Sequence, residues 1–135
     1  MPASNLERYR AAIDAWNRRD LVAVLEQTAA DFEFHTSGLF PEIEPVYRGR
    51  EGMVEFWNAF IEAPWALLQV EIDELTELDD DRVLALLTFT GKGRSGGEEV
   101  TVQYAHLCTF RDGQVARIDS FADWDEARDA AGLPR

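Results

Sequence analysis

The chain holds two histidines, His35 and His106. His106 lies in the stretch VTVQYAHLCTF, Val100 to Phe110, which reads as a strand. One parity carries Val100, Val102, Tyr104, His106, Cys108 and Phe110. Five of these six are apolar or amphipathic, so an imidazole shares the face expected to be buried. Imidazole titrates near neutral pH and can both accept and donate a proton. Here it is either a core group tied up by hydrogen bonds or a proton shuttle facing a hollow. Tyr104, two residues earlier on the same parity, could donate a hydrogen bond to a developing oxyanion.

Two further residues could join this chemistry. His35 ends DFEFHT, Asp31 to Thr36, and two parities are open for that strand. Either Phe32 and Phe34 point inward and leave Glu33 and His35 exposed, or His35 stands at a cavity mouth. Asp119 lies in VARIDSFAD. Val115, Arg117, Asp119 and Phe121 share one parity; the more apolar Ala116, Ile118, Ser120 and Ala122 share the other. If the second set is core, Asp119 is solvated or at a dimer interface. If Asp119 faces in, the neighbouring hairpin strand brings it close to His106. An Asp–His pair would fix the imidazole tautomer and raise its pKa.

The elements that must position these residues can be read along the chain. Leu6, Tyr9, Ile13 and Trp16 recur at spacings of three and four, giving one apolar helical stripe. Ser4 and Glu7 form a capping box at its start. Asp20 caps a second helix with Leu21, Val24, Leu25 and Thr28 inward. The strand DFEFHT follows, then a loop from Ser37 to Tyr47 that carries Pro41 and Pro45 but is apolar for a loop. Gly49 precedes a third helix with Met53, Phe56, Trp57, Phe60 and Ile61 on one face, ended by Pro64. Four strands follow, near Leu68–Leu78, Arg82–Lys92, Val100–Phe110 and Gln114–Ala122, joined by short turns at DDD, RSGG and RDGQ. Such turns predict an antiparallel sheet. Asp123 and Glu126 cap a last helix, Trp124 to Ala131, stopped by Gly132. This order predicts a single α+β domain over residues 1–135, with helices on one face of a curved antiparallel sheet and a hollow between them.

Composition narrows the function classes. The length of 135 residues suits one domain with a core and is too short for two. Apolar residues make up 46 % of the chain, a globular proportion. A net charge of −13 argues against a nucleic-acid partner, because phosphate would be repelled. Much of that charge sits at turns such as Asp79, Asp80, Asp81, Glu98 and Glu99, where it serves solubility. The single cysteine, Cys108, reads as a buried thiol and excludes an internal disulfide. MPASNLERYR lacks the apolar core of a signal peptide, and no run of about 18 apolar residues could span a bilayer. A soluble cytoplasmic protein without membrane contact is expected. Two histidines and scattered carboxylates show no metal-ligand spacing, and no phosphate cradle, serine elbow or redox cysteine pair is present, so neither metal nor cofactor is expected.

Longer segments carry a resemblance. AAIDAWNRRDLVAVLEQTAADFEFHTSG, VYRGREGMVEFWNAF and YAHLCTFRDGQVARIDSFAD together resemble the nuclear-transport-factor-2-like superfamily, in particular its SnoaL-like group, related to polyketide cyclases and ketosteroid isomerases. The resemblance implies a cone-shaped α+β fold with an internal cavity between sheet and helices, often dimerising through the sheet. His35 falls near the place where ketosteroid isomerases carry an aspartate base. IDSF resembles the segment where limonene-epoxide-hydrolase-like members hold a catalytic aspartate. The earlier acid of those members is missing, since Val83 to Gly91 contains none.

The resulting expectation is a small-molecule cavity protein. It would perform cofactor-free general acid–base proton transfer on an apolar carbonyl compound, as an isomerase, cyclase or dehydratase. His106 is the expected shuttle, Asp119 its orienter, and Tyr104 or His35 the oxyanion donor. Trp16, Tyr47, Trp57 and Phe121 are the expected ligand walls, whereas Phe56, Phe60 and Phe89 read as core. The alternatives are a non-catalytic ligand-binding module, or a dimeric interaction module working through the outer sheet face at Thr101, Gln103, Ala105, Leu107 and Thr109. A homodimer fits that modest patch better than a dedicated partner site.

Overall fold

The computed structural model describes residues 4–36, 43–62, 64–79, 81–94 and 96–133. Asp80, Ser95 and most of the expected apolar loop, with Leu39, Phe40 and Pro41, lie outside them. Helix α1, Asn5–Asn17, starts where the sequence caps it: the Ser4 side chain accepts from the Glu7 N–H. Asp20 likewise accepts from the Ala23 N–H and starts α2, Leu21–Glu26. Strand β1, Thr28–His35, starts earlier than DFEFHT: Thr28 pairs with Val115, and Thr28 and Ala29 are both buried. The end of the expected loop forms a short strand, β2, Val46–Arg48, which pairs with β1. Helix α3, Gly49–Phe56, continues as a π-helical segment, Trp57–Glu62. Strands β3 (Trp65–Glu77), β4 (Arg82–Gly93), β5 (Glu99–Arg111) and β6 (Gln114–Phe121) follow, and then α4, Trp124–Ala130.

The six strands form one curved sheet in the order β2-β1-β6-β5-β4-β3. One pairing differs from the all-antiparallel expectation: β1 runs parallel to β6. These two are not joined by a hairpin, so turn chemistry did not govern their direction. The β5–β6 connection is a two-residue turn in which Asp112 and Gly113 both take positive φ, as a type I′ hairpin requires. Register shifts interrupt β1–β6, β3–β4 and β5–β6, and such bulges bend a sheet.

The curvature gives the sheet two unlike faces. Inward side chains such as Val83, Ala85, Leu87, Phe89, Cys108 and Ile118 join those of α1 and α3 in the main core. On the outer face Leu84, Leu86 and Ala105 pack with Ala127 of α4 in a second, smaller cluster. Covered from both sides, β4 is buried continuously from Val83 to Leu87 instead of alternating. The outer-face patch also changes character: Ala105 and Leu107 are buried and are no free apolar surface. Among the described residues no helix is long and apolar enough to cross a membrane.

Candidate functional site

The sheet's concave face and the facing helices enclose a cavity of about 90 Å³. Its walls are mostly apolar, with Ile13 and Trp16 from α1, Met53 and Phe56 from α3, and Phe60 and Ile61 from the π-helical segment. No Asp, Glu, Lys or Arg is found among the described residues that line it. Its polar groups belong to Tyr9, Gln27, Thr28, Thr36, Tyr104, His106 and Ser120, with the Cys108 thiol beside them.

His106 sits on the inward parity of β5, opposite Ser120 of β6 and Ala85 of β4. Its Nδ1 is 3.1 Å from the hydroxyl of Tyr9, which α1 carries down onto the strand. The rings of Phe34 and Tyr104 meet the imidazole edge-on, at 5.7 and 5.2 Å between centroids. These contacts hold the ring plane and leave Nε2 without a hydrogen-bond partner among the described residues. The fully buried side-chain polar atoms lacking a partner there are Gln27 Oε1 and Trp65 Nε1. His106 itself lines the cavity.

The electrostatics follow from the missing charges. Burial pushes the His106 pKa down to about 4, so the ring is neutral at physiological pH. Burial raises Tyr9 well above the usual phenol value, with smaller contributions from Tyr104 and Cys108. Tyr104 and Cys108 are raised by burial as well. The polar corner of the cavity is therefore a set of neutral hydrogen-bonding groups.

This overturns the expected orienter. Asp119 faces the outer side of β6, where its carboxylate takes two hydrogen bonds from Arg117, at 2.9 and 3.0 Å. It pairs across the strands with Leu107, not His106; Ile118 and Ser120 face inward, and Val115 joins them beyond the register shift in the β5–β6 pairing. An Asp–His pair does not form, and the His106 pKa moves down instead of up. His35 is corrected likewise. Phe32 and Phe34 take the inward face of β1, and His35 turns outward, its Nε2 2.8 Å from Glu33 Oε1. His35 is not among the described residues that line the cavity.

The expected walls divide. Trp16 and Tyr104 line the cavity. Tyr47 does not: it is buried on the edge of Phe56, and its hydroxyl accepts the Glu44 N–H at 2.9 Å. Trp57 lies behind Trp16, 5.1 Å between centroids, and donates Nε1–H to Glu62 at 3.1 Å. Phe121 is on the outer face with Trp124 in the α4 cluster. Conversely Phe56, Phe60 and Phe89, read as core, are both core and cavity wall. Tyr9, the partner of His106, was legible only as a member of the α1 stripe. Its polar tip implied some partner on burial. No spacing rule links residues 9 and 106. Among the described residues no cluster of three metal-ligating side chains converges.

Comparison with known proteins agrees with this architecture. The sequence profile of the SnoaL-like domain matches residues 9–118. No curated protein sequence matches the chain. Among solved structures, an NTF2-like protein of unknown function from Burkholderia pseudomallei is similar at 23 % identity and TM-score 0.78, over 95 % of this chain and 97 % of that one. TerC, co-crystallised with polyporic acid, is similar at 22 % identity and TM-score 0.77, over 96 % and 99 %. A Mycobacterium tuberculosis protein in complex with estradiol-17beta-hemisuccinate is similar at 15 % identity and TM-score 0.76, over 89 % and 94 %.

Proposed function

The chain belongs to the SnoaL-like family, and on that premise we propose that its cavity binds an apolar, uncharged small molecule through His106. The observation that carries this reading is the state of the imidazole. One nitrogen is taken by Tyr9, while Nε2 has no partner among the described residues, and His106 lines the cavity. Buried polar atoms in a purely structural role are mostly hydrogen-bonded within the protein or to ordered water. The apolar walls favour a ligand that is mostly hydrocarbon. The absence of charged side chains among the described lining residues disfavours an ionic one. The complexes known for TerC and the M. tuberculosis protein are consistent with small-molecule binding on this fold.

The cavity is smaller than the ~150 Å³ engineered void that accepts benzene. A ring-sized ligand enters as the wall gives, and Met53 and the π-helical segment supply adaptable wall. Acetophenone is therefore a suitable probe. Titration followed by the fluorescence of Trp16, with the other tryptophans as background, should saturate in the wild type and weaken at least several-fold in His106→Leu. Equal affinity in both proteins would remove His106 from the site, and no saturation in either would remove the pocket function.

A second reading is catalysis, an isomerase- or cyclase-type proton transfer at the carbon beside the ligand's carbonyl. It is favoured by one fact: the nitrogen left open is on the residue best suited to proton transfer. Exchange of the acetophenone methyl hydrogens for deuterium in D₂O, followed by proton NMR, tests it. Exchange that the wild type accelerates and His106→Leu does not would support catalysis; equal exchange in both would end it. A homodimer is a separate part of the proposal, checked by sedimentation.

A further inference from the structure

We propose that Tyr9 is a positioning residue: its hydroxyl fixes the proton of His106 on Nε2, so that the cavity offers its occupant an N–H donor. The site would then select uncharged compounds carrying a hydrogen-bond acceptor, such as a ketone oxygen, over hydrocarbons of the same shape. This rests on the reading that the cavity takes a small molecule, and it names the chemistry at the ligand's polar end.

The argument is a matter of counting donors. Tyr9 is 2 % exposed, and its hydroxyl has one hydrogen-bond partner among the described residues, His106 Nδ1 at 3.1 Å. A neutral imidazole carries one ring proton. If Tyr9 donates its O–H to Nδ1, the phenol and Nδ1 are satisfied, and the one donor left over is the imidazole Nε2–H, which a cavity occupant can engage. If Nδ1–H donates to the Tyr9 oxygen, the phenolic hydrogen is left buried with no acceptor among the described residues, and Nε2 is bare. Buried donors are rarely left unpaired, so the first arrangement prevails. Among the described residues no charged side chain lines the cavity around the pair to reverse the choice; the titratable groups beside it are Tyr104 and Cys108, both held neutral by burial. An imidazole that holds its proton at Nε2 polarises a carbonyl and does not remove a proton from its neighbour. Among the described residues the cavity contains no carboxylate to do so. The inference therefore favours binding over α-proton abstraction.

The test has two parts. In protein labelled with ¹⁵N-histidine, long-range ¹H–¹⁵N correlation at neutral pH reports which nitrogen of His106 bears hydrogen. The expected result is Nε2–H with a bare Nδ1; Nδ1–H with a bare Nε2 overturns the inference. The second part compares acetophenone with α-methylstyrene, which replaces C=O by C=CH₂ in nearly the same shape. Wild type should prefer the ketone by about tenfold, the worth of one neutral hydrogen bond. In Tyr9→Phe the tautomers should mix and the preference fall towards unity. Retention of both the Nε2–H signal and the preference in Tyr9→Phe would overturn the assignment. Should that variant fail to fold, the wild-type spectrum still decides the tautomer. A wild type that shows Nε2–H yet binds neither compound defeats the ligand preference and the pocket reading while leaving the tautomer assignment in place.

Discussion

The two histidines occupy opposite faces of one sheet. His106 is on the concave face, neutral, packed between Phe34 and Tyr104, with a phenol on one nitrogen. His35 is on the convex face, in water's reach, beside Glu33 and near Arg117 and Asp119. The same residue type thus serves two environments separated by one sheet's thickness. On the outside, charge is tolerated because solvent and neighbours share it; Glu33 is lowered first by its hydrogen bond to His35, with Arg48 and Arg117 assisting. On the inside, the walls repel charge and only dipoles remain. Whatever chemistry or recognition the cavity performs must therefore use neutral donors and acceptors.

The contrast can be broken most severely by moving a carboxylate across it. Ile118 and Asp119 are neighbours in sequence, and Ile118 is buried on the inner face. Ile118→Asp would put an unpaired acid into the cavity wall. The expected loss is on the order of 3–5 kcal/mol, from the lost apolar burial and the unpaired charge. Urea unfolding at neutral pH measures it, and a loss below 1 kcal/mol would mean that the inner face is wetter than described.

A smaller effect should appear in the dependence of stability on pH. The folded pKa of His106, about 4, lies below the value near 6.5 expected when unfolded. The unfolded chain then binds more protons between these values, so stability falls as pH falls from about 6.5 to about 4 and levels off below. The contribution of this one group is on the order of 3 kcal/mol. His106→Phe should flatten the curve in that window. Denaturant midpoints measured between pH 7 and 4 for the wild type and this variant decide the matter; curves of equal slope would overturn the account of His106 as a neutral, buried group.

The smallest effect belongs to the outer face. Arg117 is about half exposed at its side chain and its pair with Asp119 is open to solvent. Asp119→Asn should cost less than about 1 kcal/mol. It should also leave acetophenone binding unchanged, because Asp119 does not reach the cavity. Reduced affinity in this variant would show coupling through β6 that the geometry does not contain.

The local signals in the chain were legible because their physics is local. Ser4, Asp20 and Asp123 cap the helices that follow them, each with its side chain accepting backbone N–H groups. The Asp112–Gly113 turn, the apolar stripe Tyr9–Ile13–Trp16 and the inward parity of β5 likewise depend on residues near in sequence. Resemblance across nearly the whole chain supplied the fold class. The site was legible only in part. His106, Tyr104 and Trp16 stood on stretches whose alternation or stripe was unambiguous. His35 and Asp119 stood on strands whose two faces were nearly balanced in polarity, and a one-residue choice sends a side chain to the opposite side.

By itself, then, the amino-acid order determined where helices start, where strands turn and that an imidazole would sit among apolar neighbours. Only the tertiary structure decided which face of β1 and β6 closes the core, that β1 lies parallel to β6, and that the phenol of Tyr9 meets a ring 97 residues away. The reason is physical: caps and turns are satisfied within a few residues, whereas face, strand direction and partner are settled when distant surfaces compete for the same buried space.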